Sequence, residues 1–307
     1  MTDTVAGSML RTVRRPVARM VLRRHRTPRD RIPGNTTIRG TTMTEQDGRK
    51  FGVVTGASSG IGFELARQFV QHGFDLLVVA EDDGIVGVAS ELEKTGTMVD
   101  YAQLDLATHD GVEDLMQKLQ QDNRPIDAIA INAGVGVGGS FLESDLDDKL
   151  NLIALNISST VHLAKRVLPD MVSRGQGRVL FTSSIAALAP TPFQTVYGAS
   201  KAFVHSFSEA LRNELKDTGV SITALQPGAT ETNFFARAGM LDTKVGSAEK
   251  DDPADVAREG FKAMMDGKDH VVAGFKNKVA AVMSEVTPET MKAEQHRKLA
   301  KPGSAKK

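Results

Sequence analysis

An α/β fold, one doubly wound parallel sheet, is what this chain predicts, and three observations predict it. Short runs rich in Val, Ile and Leu recur between residues 51 and 273, apolar on both faces rather than alternating with polar residues. Segments of helical periodicity separate these runs. A glycine-dense turn, "VVTGASSGIG", joins the first run to the first helix. Strands of that kind are buried on both sides, and right-handed crossovers then place helices over both faces of the sheet.

Taken in order, the strands are predicted at 51–55, 74–80, 98–104, 128–131, 179–182, 221–225 and 270–273. The intervening helices are predicted at 61–72, 85–94, 111–121, 145–173, 199–217 and 253–265. No internal repeat or second domain is visible, so residues 49–274 read as a single domain. Residues 275–307 read as a helical extension, with helices at 276–285 and 288–299 and a flexible basic tail, "AKPGSAKK".

Composition excludes several function classes. With no cysteine there is no disulfide, thiolate nucleophile or Cys-ligated metal, and a reducing compartment fits. The chain is accordingly read as cytoplasmic. Its seven histidines show no His-x-x-x-His or His-x-x-Glu spacing, so no metal site is expected. The formal net charge of zero is misleading, because residues 1–42 hold ten arginines and only two acids. The remainder carries 28 basic and 36 acidic side chains and offers no broad basic field for nucleic acid. The 22 residues from 179 to 200 carry no charge, yet Pro190, Pro192 and many hydroxyls argue against a membrane span, and no membrane partner is expected. The Arg-rich arm, residues 1–48, has three readings. It is a transit peptide, a basic arm for an anionic partner, or a disordered segment upstream of a start at Met43; the last is preferred.

The glycines Gly56, Gly60 and Gly62 stand at the first strand–helix junction, where a tight turn lets backbone N–H groups and a helix N-terminus approach a pyrophosphate. The turn residues Ser58, Ser59 and Ile61 would share that contact. The second strand ends in an acid, Glu81, 19 residues after Gly62. An acid there accepts hydrogen bonds from a ribose 2′-hydroxyl and repels a 2′-phosphate, which favours NAD without excluding NADP. The competing reading is a solvated acidic loop with Asp82 and Asp83. Asp105 and Leu106 after the third strand are placed to meet adenine, and Asn132, Ala133 and Gly134 after the fourth carry the chain past the cofactor.

Tyr197, one of only two tyrosines, stands four residues before Lys201. On one helix the two share a face. General-base work near neutrality requires a shift of about three pKa units, roughly 4 kcal/mol. An ammonium about 6 Å away at an effective dielectric near 20 supplies roughly 2.8 kcal/mol. A cationic nicotinamide ring would supply the rest. Ser184, thirteen residues earlier at a strand end, is the candidate donor to a substrate carbonyl, with Ser183 beside it as a rival. Asn156 sits among Leu152, Ile153, Leu155 and Ile157, as a structural pin or the anchor of a proton-relay water.

Together "TGASSGIG", "NAG" at 132–134, Asn156, Ser184, the Tyr197–Lys201 pair and "QPGATET" at 226–232 resemble the short-chain dehydrogenase/reductase family, single-domain type, over residues 50–274. The resemblance implies a Rossmann-type fold and a catalytic set of Asn156, Ser184, Tyr197 and Lys201. It further implies a nicotinamide ribose held by Lys201, a carboxamide held by Thr232, and a turn through Pro227, Gly228 and Thr230 beside the cofactor. It implies a homodimer or homotetramer. Ile131 departs from the family's usual first asparagine, and Glu81 departs from the arginine common in NADP-using relatives.

The expected reaction moves a hydride between cofactor and a small ketone, aldehyde or alcohol, with Ser184, Phe193 and Tyr197 on the substrate. Phe193, Phe234, Phe235, Met240 and Leu241 line an apolar cleft or pack a lid; the loops holding them show no basic cluster. The alternatives are a silent cofactor-binding sensor or scaffold, and a lyase or epimerase using the cofactor transiently.

Overall fold

The computed structural model describes residues 48–305, and the Arg-rich arm lies outside them except for Gly48. The strands are β1 (Phe51–Thr55), β2 (Asp75–Ala80), β3 (Val99–Gln103), β4 (Ala128–Ile131), β5 (Gly177–Thr182), β6 (Val220–Gln226) and β7 (His270–Val272). They form one sheet in the order β3-β2-β1-β4-β5-β6-β7, parallel at every pairing. The larger helices are α1 (Gly60–Gln71), α2 (Gly84–Glu93), α3 (His109–Asp122), α4 (Leu146–Ile153), α5 (Thr160–Arg174) and α6 (Thr195–Glu214). Two short helices, α7 (Phe234–Arg237) and α8 (Lys244–Ser247), precede α9 (Pro253–Met265), α10 (Phe275–Val286) and α11 (Glu289–Ala300).

Alternation along each strand divides the core in two. Val53, Leu77, Val79, Ile129, Val179 and Phe181 face α3, α5 and α6. Their neighbours Val54, Leu76, Val78, Ala130 and Leu180 face α1, α2 and α9. Every residue of β1, β2 and β4 is buried, which is why those strands read as unbroken apolar runs. Phe69 of α1 meets Phe261 of α9 edge to face at 5.1 Å, closing the second layer.

Three expectations are corrected. The helical segment 145–173 is not continuous: a π-helical stretch, Ala154–Ser159, divides α4 from α5. Such a stretch inserts an extra residue per turn and re-aims side chains, here the buried Asn156. The sixth helix begins at Thr195 rather than 199, so Tyr197 lies inside it. The tail expected to be flexible is docked through residue 305: Gly303 and Ala305 donate their N–H groups to Asp242, and Ser304 Oγ accepts from Lys244 N. Ala300 is fully buried against Phe235, Ala238 and Met240, which anchors the extension to the α7 region. None of the helices among the described residues is long and apolar enough to cross a membrane.

Candidate active site

The strand order reverses between β1 and β4, and ligands of such sheets sit in the crevice at the carboxyl ends there. A cleft of about 750 Å³ opens at that place, within the range of ligand sites. Of the residues expected to act in catalysis or to contact cofactor or substrate, all but Asn156 and Phe193 line it.

The glycine turn forms one end. Gly56 and Gly60 adopt φ of +64° and +58°, where a side chain is strained. Gly62 has ordinary φ but no room: a Cβ there would lie 2.0 Å from the Gly56 carbonyl oxygen and 2.6 Å from Asn132 Nδ2. Ser59, in N-cap position, makes no side-chain cap bond, and α1 has no acid in its first turn. Helix α3, by contrast, is capped by Thr108 and carries Asp110 in its first turn. The open amides and positive dipole end of α1 therefore remain for an anion in the cleft. Gly62→Ala is expected to cost about 1–3 kcal/mol and to lower the Tm by roughly 3–10 °C, with cofactor binding lost. Thermal unfolding by circular dichroism checks it, and an unchanged Tm would show that the turn can rearrange.

Beyond β2, Ser58 Oγ donates to Asp82 at 2.7 Å, while Glu81 is exposed at the cleft edge. Arg237 of α7 approaches Asp82 to 3.9 Å. Sequence reasoning missed this cation because α7 lies more than 150 residues downstream of β2. Asp105 caps its own turn, accepting from Ala107 N at 2.9 Å, and Leu106 is buried beneath it. Asn132 stitches three strand ends together: its Nδ2 donates to the Thr55 carbonyl at 3.1 Å, and its Oδ1 accepts from Thr182 Oγ1 at 3.0 Å. Ile131, in the place of the usual first asparagine, is a buried core residue of β4.

At the other end, α6 carries Tyr197 and Lys201 one turn apart, with the Lys201 Nζ 5.8 Å from the centre of the Tyr197 ring. Lys201 Nζ donates to the Thr182 carbonyl at 2.9 Å. A Cβ on Gly134 would come within 3.2 Å of that nitrogen, so the glycine makes room for the ammonium. Burial pulls the Lys201 amine down to about 8. It pushes the Tyr197 phenol up to about 12, against a smaller lowering from its hydrogen bond with Ser184. From the sequence, the ammonium and a cationic nicotinamide ring were expected to lower the phenol; in the protein itself the loss of water around the hydroxyl is the largest effect and raises it.

Both serines border the cleft, but their hydroxyls have different partners. Ser183 Oγ donates to the Lys201 carbonyl at 2.8 Å and fixes α6 on β5. Ser184 bonds the phenol and donates to the Pro227 carbonyl at 3.3 Å, so it is the serine that meets Tyr197. Asn156 lies behind the lining. Its Nδ2 donates to the Val135 carbonyl and to Ser200 Oγ, each at 3.0 Å, and its Oδ1 accepts from Val135 N at 2.9 Å. Of its two readings, the side chain's bonds are those of a pin. Thr232 packs on Gly60, and Gly228 packs against Asn277 of α10 with no space for a Cβ. Thr230 Oγ1 donates to the Gly228 carbonyl at 3.1 Å, tightening that turn.

On the substrate side, Phe234 tilts over the Tyr197 ring at 5.1 Å between centroids. Phe193 is corrected: it does not line the cleft but packs beside the α7 cluster, beneath the Arg297 guanidinium at 5.4 Å. Its φ is +67°, in the left-handed region. Met240 is buried in that cluster and Leu241 is exposed, so neither lines the cleft. The wall missed from the sequence comes from α10 and α11, which contribute residues from Asn277 to Leu299.

Away from the cleft, His109, Glu113 and His162 converge within 4.8 Å, a grouping no spacing rule detects because it spans α3 and α5. Glu113 is engaged by both His162 and Arg166 there, tying the two helices together.

Comparison with known proteins agrees with this geometry. The family model described as short chain dehydrogenase matches residues 50–240. An uncharacterised oxidoreductase of Staphylococcus saprophyticus is 31% identical over 217 residues, 70% of this chain and 91% of that protein. The oxidoreductase UcpA of Salmonella typhimurium is 31% identical over 216 residues, 70% of this chain and 80% of that one. Among solved structures, a short-chain dehydrogenase from Sphingobium yanoikuyae in complex with NADPH superposes with a TM-score of 0.69 at 28% identity, covering 78% of this chain and 96% of that chain.

Proposed function

The chain belongs to the short-chain dehydrogenase/reductase family, an oxidoreductase family, and on that basis we propose that it interconverts a carbonyl compound and the corresponding alcohol with a nicotinamide cofactor. The observation that carries the reading is the meeting of Ser184, Tyr197 and Lys201 at one end of a cleft whose other end is the uncapped N-terminus of α1. The residues present fit the cofactor. Gly56, Gly60, Gly62 and the open amides of α1 receive the pyrophosphate, with Ser58, Ser59 and Ile61 around it. Asp105 and Leu106 border the adenine, Glu81 the ribose hydroxyls, and Lys201 the second ribose. Asn132, Ala133 and Gly134 form one flank, and Pro227, Gly228, Thr230 and Thr232 the other.

When bound, the nicotinamide gives or takes the hydride, two electrons with one proton. The chain's own groups manage the second proton. In reduction, Ser184 donates to the carbonyl oxygen and fixes it beside Tyr197. The phenol, protonated at neutral pH, passes its proton to that oxygen. Lys201 then stabilises the phenolate that is left. Oxidation runs the same transfers backwards. Asn156 acts as a positioning residue, holding Val135 and Ser200 against the turn that carries Lys201.

Turnover of ketones, aldehydes and secondary alcohols with NADH and NADPH, followed by nicotinamide absorbance, tests the proposal. Cofactor binding without turnover across a broad panel would leave the sensor reading in its place. NAD is the proposed cofactor, and it rests on Glu81, since the Sphingobium structure contains NADPH. Glu81→Arg exchanges repulsion for attraction toward a 2′-phosphate and is expected to shift the NADPH-to-NADH ratio of kcat/KM by about 10- to 100-fold. A wild-type protein that already prefers NADPH contradicts the assignment. The proposal includes self-association through α4–α6, which show Leu146, Leu150, Ile153, Val161 and Phe203 to solvent.

A further inference from the structure

Helix α11 turns one face into the cleft. Lys292, Gln295, His296 and Leu299 are spaced i, i+3, i+4 and i+7, and all four line it. The helix is held firmly there. His296 Nδ1 bonds the Pro192 carbonyl at 3.1 Å, Arg297 covers the Phe193 ring, and Ala300 is fully buried. The chamber between this face and Tyr197 is walled by Leu188, Phe235, Val245, Ala281 and Met283, with the uncharged polar side chains of Thr191, Gln194, Asn277, Ser284 and Thr287 among them.

Charge is distributed unevenly along the cleft. Its lining carboxylates are Glu81, Asp82 and Asp105, all at the ends of β2 and β3. At the α11 end the only charged lining side chain is Lys292, which is 11% exposed. It donates to the Leu188 carbonyl at 3.1 Å and pairs with Glu289 at 2.5 Å, a carboxylate 67% open to solvent. An ammonium has three donors, and these two contacts leave one without a protein partner among the described residues. One turn on, Gln295 lines the cleft with its residue exposed to solvent, and its amide has no protein hydrogen-bond partner among the described residues. A nearly enclosed ammonium with a donor to spare, beside a solvent-exposed amide that can turn toward it, suits an oxyanion better than a neutral end group.

We propose that the substrate is an amphipathic carboxylate: a keto or hydroxy acid whose apolar body fills the chamber and whose carboxylate is held by Lys292 and Gln295. The inference rests on the reading of Tyr197 and Ser184 as the reacting end. His296, its Nδ1 committed to Pro192, completes the wall.

The test reads binding, not turnover. The fluorescence of 11-(dansylamino)undecanoic acid and of its methyl ester is titrated with the full-length protein, with and without NADH. The acid is expected to bind about tenfold more tightly than the ester. Lys292→Met should bring the acid-to-ester ratio near one, and Lys292→Arg should preserve it. Equal binding of acid and ester by the wild type overturns the proposal, as does failure of both to bind. So does an unchanged ratio in a Lys292→Met protein that unfolds at the wild-type temperature. Should that variant not fold, the wild-type ratio alone decides. A protein that prefers the acid but turns over no carbonyl or alcohol with either cofactor refutes the redox reading and leaves the carboxylate site standing.

Discussion

Tyr197→Phe should lose about three orders of magnitude in kcat/KM while still binding cofactor. Removing the hydroxyl removes the proton donor in reduction and the acceptor in oxidation, a contribution of about 10²–10⁴-fold, or roughly 4 kcal/mol of barrier at the middle of that range. Little else changes. The phenyl ring keeps its contact with Phe234. Ser184 loses one partner but retains the Pro227 carbonyl and the Ala186 N–H. Stability should therefore stay close to wild type, so the loss cannot be blamed on unfolding. Steady-state rates in both directions, with a cofactor titration as control, decide the matter. Rates equal to wild type would remove Tyr197 from the mechanism.

Lys201→Met should lower kcat/KM by about a hundredfold and change the shape of the pH profile. The size follows from Coulomb's law: a unit charge at roughly 6 Å and an effective dielectric near 20 is worth about 2.8 kcal/mol, which is about two decades in rate. The pH dependence follows from the two shifts. The amine, pulled down to about 8, is an ammonium at neutral pH and loses its proton above that value. The phenol, pushed up to about 12, remains a proton donor throughout. Reduction should thus be level below about pH 8 and fall above it, as the charge that stabilises the phenolate disappears. Lys201→Met should be slow at every pH and lack that fall. A wild-type reduction rate that climbs through pH 8 would contradict the assignment.

The parallel sheet and the cofactor half of the site could be read from residue order, and the reason is local. A buried parallel strand must be apolar on both faces, so β1, β2 and β4 declare themselves within four to six residues. A phosphate turn needs glycines at fixed offsets, and Gly56, Gly60 and Gly62 fall within a span of seven residues. Tyr197 and Lys201 share one helix turn, so their pairing needed only the helix itself.

Long-range placement escaped that kind of reasoning. The π-helical stretch around Asn156 lies against α6, as α4 does, and no sequence period announces it. The sign of the Tyr197 shift depended on how completely water is excluded from its hydroxyl, a property of walls drawn from β5, α7 and the C-terminal helices. The choice between Ser183 and Ser184 turned on which hydroxyl faced α6 and which the cleft. Phe193 was misplaced because its partners, the α7 cluster and Arg297, come from segments far along the chain. Lys292 and Gln295 joined the site from about a hundred residues beyond Ser184. Period and spacing along the chain therefore specified the strands, the turn and the reacting pair, since these depend on neighbours in sequence. Burial, charge environment and the substrate wall came from segments that meet only in three dimensions, because desolvation and packing are set by whatever surrounds a group in space.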